Sequence, residues 1–232
     1  MKDAPSRDLR FQPASDQSLL AYFGGQIALA THQRIVKLLR LLAAEPVDGF
    51  LNFHPAYCSV LVKFDALKLR HAEVESALRS LCARLGEVEL PEPRVREIPV
   101  CYGGEYGPDL EEVAKLHATP ADEFVRLHAA ARYTVYFLGF VPGFAYLGGL
   151  PAELATPRLS TPRKKVPAGS VAIGGNQTGV YPRETPGGWR LIGRTALKLF
   201  DPSAREMSFL QIGDEVRFVA IAKEELAGRD KS

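Results

Sequence analysis

The sequence predicts an α+β protein in two parts: a small N-terminal domain of the α/β-sandwich kind, residues 1–89, and a β-barrel domain, residues 90–232. Three observations carry this. In the first third, two stretches with apolar residues at helical spacing alternate with short β-rich runs. Leu90 to Arg96, LPEPRVR, is a proline-rich break. Beyond it, short apolar runs are separated by glycine and proline turns, the pattern of a compact barrel.

Leu9 to Gln12 and Ser18 to Phe23 read as strands, with a polar turn over Pro13 to Asp16 and a break at Gly24-Gly25. From Ile27 to Ala44, the residues Ile27, Ile35, Leu38, Leu39 and Leu42 mark one helix face, with Arg34, Lys37 and Arg40 on the other, and Pro46 ends it. Gly49 to Phe53 and Ser59 to Phe64 read as adjacent strands joined by His54-Pro55-Ala56-Tyr57. A second helix covers His71 to Leu85, with Val74, Leu78, Leu81 and Leu85 inward and Gly86 as its stop. After the break, Val95 to Tyr102 is extended. Asp109 and Glu112 form a capping-box pair for a helix ending near His117, and Pro120 opens another. Tyr133 to Phe140 is a strand. Phe140 to Gly149 is too broken by glycine for a strand and too aromatic for a solvated loop, so it is either a lip over a pocket or a loop packed on the core. Leu197 to Phe200 and Glu215 to Ile221 complete the strands, and the charged tail after Glu224 is frayed.

Hydrophobic content of 46%, charged content of 24% and a net charge of +2 describe an ordinary globular chain with no general pull toward nucleic acid. No apolar run reaches the length of a membrane span, and Met1 to Arg10 lacks the apolar core of a signal peptide. Cys58, Cys82 and Cys101 are an odd, widely spaced set, which points to free thiols in a reducing cytoplasm.

Candidate chemistry gathers in Thr161 to Thr195, which holds seven of the chain's 20 glycines. It also holds Arg163, Lys164, Lys165, Arg183, Arg190 and Arg194 against one acid, Glu184, and contains the only tryptophan, Trp189. Glycines let ligand oxygens approach main-chain N–H groups, and guanidinium groups grip carboxylate or phosphate by two prongs. Gly188 to Thr195 comes close to a phosphate-loop pattern but is rejected: Trp189, Leu191 and Ile192 are strand formers, and no helix follows. His32, His54, His71, His117 and His128 lack metal-ligand spacing, and Ser170 lacks the GxSxG elbow of a hydrolase nucleophile, so no metal and no self-sufficient catalytic centre is assigned.

Four blocks, Val100–Ala114 (VCYGGEYGPDLEEVA), Phe137–Pro151 (FLGFVPGFAYLGGLP), Thr161–Pro182 and Thr185–Asp201 (TPGGWRLIGRTALKLFD), resemble in order the bacterial allophanate hydrolase subunit 1 (Kip-inhibitor-like) family. Its members include the B-type subunit of ATP-dependent 5-oxoprolinase. The blocks cover most of the chain after the break, and the N-terminal third resembles the family only loosely. The resemblance implies a cyclophilin-like barrel and a subunit that works with a larger protein, of the subunit-2 or C type, and with a third subunit. It implies ATP used by the complex, with no metal or biotin on this chain. The alternatives it carries are a histidine-kinase inhibitor and the carboxyltransferase half of a biotin-dependent urea or amide carboxylase.

For a small anionic substrate, Arg163, Lys164 and Arg190 are the candidate cations, with Asn176, Gln177 and Thr178 reading amide or carboxylate edges and Tyr181 and Glu184 beside them. Phe140, Pro142, Phe144, Tyr146 and Trp189 are the candidate wall. The structural alternatives are Trp189 in the barrel core, Glu184 paired with Arg183 or Arg190, and Arg163 as a solvated strand end.

Overall fold

The computed structural model of the protein describes residues 9–229. It falls into two compact units, Met1–Glu92 and Pro93–Ser232.

In the first unit, β1 (Arg10–Ser15), β2 (Ser18–Tyr22), β3 (Phe50–Pro55) and β4 (Ser59–Phe64) make an antiparallel sheet in the order β1-β2-β4-β3. Alternation along the central strands buries Leu19 and Ala21 of β2 and Val60, Val62 and Phe64 of β4. Helices α1 (Leu29–Ala44) and α2 (His71–Ala83) lay Ile35, Leu38 and Leu42, and Val74 and Leu78, into the same core. Each such side chain contributes roughly 1.5–3 kcal/mol by leaving water. The unit is thus a sheet with two helices packed on it.

Three boundaries differ from the sequence reading. Pro13 lies in β1, paired with Leu19 beside a bulge, and not in a turn; β1 is an edge strand, where a missing N–H costs little. Ile27 precedes α1 and is 44% exposed, so it is not on the buried stripe. Helix α2 ends at Ala83, and Leu85 is buried by a short 3-10 turn, Leu85–Glu87.

The second unit contains β5 (Val95–Tyr102), α3 (Leu110–Leu116), α4 (Ala121–Ala130), β6 (Tyr133–Leu138), β7 (Ala145–Gly148), β8 (Arg163–Val166), β9 (Ser170–Gly174), β10 (Gln177–Val180), β11 (Thr185–Gly187), β12 (Arg190–Arg194), β13 (Glu215–Ala220) and α5 (Lys223–Arg229). Seven of these strands close a barrel in the order β10-β7-β6-β13-β5-β12-β9, while β8 and β11 form a separate ribbon. Ile98, Val135, Val171, Ile173, Ile192 and Phe218 fill the interior together with Val113 of α3 and Phe124 of α4. The mixed α+β class and the barrel agree with the sequence.

Several expectations fail locally. The Phe140–Gly149 stretch does contain a strand, β7; its Gly148 leaves room for the Tyr136 ring, a reason for glycine that periodicity does not reveal. Leu197 to Phe200 is irregular, held by an isolated Phe200–Ser208 bridge and by Phe209 N–H to Leu199 O at 3.0 Å. The tail after Glu224 is helical through Arg229, with Leu226 only 1% exposed; the remainder of that tail lies outside the described residues. Gly188 to Thr195 runs into β12 with no helix after it, as its strand formers require.

Candidate functional site

Strand β9 is buried along its whole length because it is covered on both faces. Val171 and Ile173 join the barrel core, while Ala172 joins a second cluster on the outer wall with Phe144, Val166, Tyr181, Trp189 and Leu191. The rings in this outer cluster meet edge to face: Phe144–Trp189 at 5.7 Å, Phe144–Tyr181 at 5.6 Å and Phe144–Tyr146 at 5.1 Å. That geometry suits the quadrupoles of the rings. Trp189, at 6% exposure, is therefore buried in this outer cluster and not in the barrel core.

Cations border this cluster. The Arg158 guanidinium lies 5.8 Å from the Trp189 ring centre. Burial pushes the Tyr181 phenol up, opposed by a hydrogen bond from the Trp189 backbone and by the nearby charges of Arg158 and Arg163. Arg163 Nη2 donates to Asp109 Oδ1 at 2.6 Å, and the Leu191 N–H donates to Asp109 Oδ2 at 2.6 Å. Arg163 Nη1 is buried and has no hydrogen-bond partner among the described residues. Arg190 Nη1 meets Glu112 at 2.7 Å, and its Nε reaches Pro157 O at 3.4 Å.

The two arginines thus converge on the start of α3. Asp109 is the N-cap residue of that helix, as its spacing suggested, but its side chain makes no capping bond; its carboxylate is taken by Arg163 and Leu191. Asp109, the acid that balances Arg163, lies 54 residues upstream of it, and Glu112, which balances Arg190, is likewise far upstream.

The other predicted residues are placed as follows. Asn176 is exposed in the tight β9–β10 turn, after Gly175 at φ 66°. Gly175 is bridged to Thr156, next to the Pro157 that Arg190 touches, so this turn sits at the same strand ends as Arg190. Gln177 is half-buried. Thr178 is fully buried, and its hydroxyl faces inward, away from Asn176. Lys164 is exposed, and Glu184 pairs with Lys165 at 3.3 Å on the ribbon and not with Arg183 or Arg190. Phe140 and Pro142 are exposed, and Tyr146 stacks on Phe137 at 4.3 Å. Arg158 escaped the sequence reading, and Asp109 was read there only as a helix cap. The one signal for Arg158 is that Thr-Pro-Arg occurs twice, at 156–158 and 161–163.

Inside the barrel lies a polar chain that sequence reasoning also missed. His128 Nδ1 is 2.8 Å from the Tyr102 hydroxyl, and its Nε2 is 2.9 Å from Thr178 Oγ1. Thr178 donates its only proton to Ala172 O at 3.1 Å. Nε2 must therefore carry hydrogen and Nδ1 must accept from Tyr102. Burial lowers the His128 pKa to about 3, so the ring is neutral, and burial raises the Tyr102 phenol well above its ordinary value. An open groove of about 420 Å³ lined by Gln33, Lys37, Gly86, Val88, Glu89 and Leu90 lies in the first unit. It holds a single cation and a single acid and is set aside in favour of the arginine cluster.

Residues 9–210 match the family model described as carboxyltransferase domain, subdomain C and D. The chain belongs to this family. It is 40% identical over 226 residues to the B-type subunit of 5-oxoprolinase from Bacillus subtilis, covering 93% of this chain and 94% of the relative. It is 59% identical over 129 residues to the corresponding 5-oxoprolinase protein of Escherichia coli O157:H7, covering 56% of this chain and 59% of that one. The solved structure of TTHA0988 superposes with a TM-score of 0.77 at 34% identity, covering 89% of this chain but 40% of that chain. The kinship implied by the four blocks is thus met by relatives named as 5-oxoprolinase subunits of the B type.

Proposed function

We propose that this protein is a subunit of an ATP-dependent 5-oxoprolinase, which converts 5-oxoproline, ATP and water to glutamate, ADP and phosphate. The near-complete match to the Bacillus subtilis 5-oxoprolinase protein supports the reading. The observation that carries it in the structure is the guanidinium pair Arg158 and Arg163 set against the Tyr181–Trp189 wall, with a donor on Arg163 left unpaired. In this reading the subunit is inactive alone, works in the cytoplasm with a larger subunit and a third one, and shares ATP with the complex. The barrel is of the cyclophilin kind, and the domains divide near residue 90.

The chemistry explains the need for such a site. A lactam resists hydrolysis because its amide is resonance-stabilised, and transfer of a phosphoryl group to its oxygen activates it. The protein must then hold a carboxylate and developing negative charge in a fixed geometry, which fixed guanidinium donors do at little reorganisation cost. Arg163, oriented by Asp109, and Arg158 are the carboxylate-holding residues in this scheme, with Asn176, Gln177 and Arg190 at the neighbouring strand ends. Thr178 is withdrawn from the substrate set, since its hydroxyl is engaged inside the barrel.

The test is reconstitution. Purified chain mixed with its companion subunits should release glutamate from 5-oxoproline only with ATP, and the chain alone should release none. Absence of ATP-dependent release from the full mixture would reject the reading.

A further inference from the structure

The loop at 139–144, between β6 and β7, is built from two successive tight turns. Val141 N–H donates to Gly139 O at 2.7 Å across Phe140, whose φ is 65°. A hydrogen bond spanning one residue of positive φ is the rare, strained form of the γ-turn. Phe144 N–H then donates to Val141 O at 3.0 Å around Pro142 and Gly143, with Gly143 at φ 84°. Proline followed by a positive-φ glycine is the signature of a type II turn. Gly139 N–H closes the loop on Phe144 O at 3.1 Å.

The base of the loop is fixed. A Cβ on Gly143 would stand 2.7 Å from the Phe200 Cβ, so the backbone lies directly against Leu199–Phe200. Phe144 is buried among Tyr146, Tyr181 and Trp189. The crest is Phe140, 59% exposed, beside exposed Pro142. A bulky residue in left-handed backbone costs free energy, and so does a phenyl ring left in water. The described residues return little for either: the ring contact of Phe140 is an edge-on one with Phe144 at 5.6 Å.

We propose that Phe140 is a preorganised anchor that inserts into an apolar pocket on the larger companion subunit; this rests on the 5-oxoprolinase-subunit reading. A rigid aromatic side chain, held at the crest of a loop whose ordering cost is met on folding, is the kind of residue that dominates an interface. The relatives point to the occupant: a 5-oxoprolinase protein named as a B-type subunit implies companion subunits, and TTHA0988, of which this chain covers 40%, carries further polypeptide in the same chain. Through Phe144 and Trp189 the anchor joins the wall that Arg158 borders, so a companion seated on Phe140 lies next to the arginine cluster.

The experiment titrates the purified chain with its purified companion subunits by calorimetry, comparing the parent with Phe140→Gly and Phe140→Asn. Both replacements accept positive φ, so the turn is kept and the ring is lost. Association should weaken by about 30-fold or more, as for an interface hot spot. The isolated variants should melt at or above the parent's temperature. Variants that bind with the parent's affinity would sink the anchor while leaving the function standing. Variants that melt lower would make Phe140 a packing residue and also overturn the proposal. So would a parent that dimerises through this ring. A parent that does not bind the companion subunits at all would overturn both this proposal and the functional reading.

Discussion

The wall formed by β9, β10 and β12 has two faces, and their polar groups are treated in opposite ways. On the inner face, Tyr102, His128 and Thr178 form a chain in which each proton has one acceptor, ending on Ala172 O. On the outer face, Arg163 spends one nitrogen on Asp109 and leaves another buried with no partner. A buried polar group without a partner costs about 1–3 kcal/mol, so a fold retains one where something else makes use of it. The closed network belongs to stability; the open one is what the proposed function assigns to substrate binding.

The largest expected effect breaks the inner face. His128→Leu removes two hydrogen bonds and strands the Tyr102 hydroxyl, so the barrel should lose about 3–5 kcal/mol in urea unfolding. A loss below about 1 kcal/mol would show that the chain of hydrogen bonds is slack. The same variant has a pH signature. In the fold His128 stays neutral down to about pH 3, with Tyr102, Tyr133 and Phe218 rings facing it, while the unfolded chain protonates it near its ordinary value of 6.5. The unfolded state binds the extra proton first, so this contribution to stability declines as pH falls from 6.5 toward 3, by up to about 1.4 kcal/mol per unit. Buried His32, whose pKa is lowered to about 4, adds its own decline in the first unit, so the informative quantity is the difference between parent and variant.

This contrast also explains what the sequence discloses. Helical spacing found α1 and α2, and β-branched runs found β4, β6 and β13, because those elements bury one continuous stripe or strand. Glycine density and arginine excess pointed to 161–195, and Arg163 and Arg190 of that stretch do converge, on the start of α3. What stayed hidden depends on residues far apart in the chain. Asp109 reads as a helix cap until β12 brings Leu191 to it, and Thr178 sits in a polar triplet of which it is buried on β10 while Asn176 stays exposed in the turn before that strand. His128 shows no motif because its partners lie 26 and 50 residues away. The ribbon β8–β11 was missed because Arg163 to Lys165 carries charge, which is tolerable only on a ribbon outside the barrel.

The outer face is sharpened by Arg163→Lys. Lysine keeps the charge beside Asp109 but offers a point ammonium in place of a planar fork. Stability should change by about 1 kcal/mol or less, because Asp109 retains a cation and the Leu191 N–H. ATP-dependent glutamate release by the reconstituted complex should fall by about tenfold or more, since the unpaired Nη1 is lost. The split between the two readouts is the point of the test: a variant that unfolds easily and turns over normally per folded molecule would move Arg163 to the inner-face class.

The smallest effect compares the two ion pairs at the start of α3. Asp109 is 7% exposed at its side chain and Glu112 is 60% exposed, although both hold an arginine at about the same distance, 2.6 and 2.7 Å. Distance alone would rank them equal, whereas the exposure of the acids does not: Glu112 is screened by solvent and Asp109 is not, although Arg190 itself is only 13% exposed. Glu112→Gln should therefore cost within about 0.5 kcal/mol, while Asp109→Asn should cost about 1.5–3 kcal/mol by weakening two short bonds to a buried carboxylate. Equal losses in the two variants, measured by thermal unfolding at one salt concentration, would mean that Arg190 is as firmly placed by α3 as Arg163 is. Arg190 would then share Arg163's rank in the proposed substrate site rather than stand at its edge.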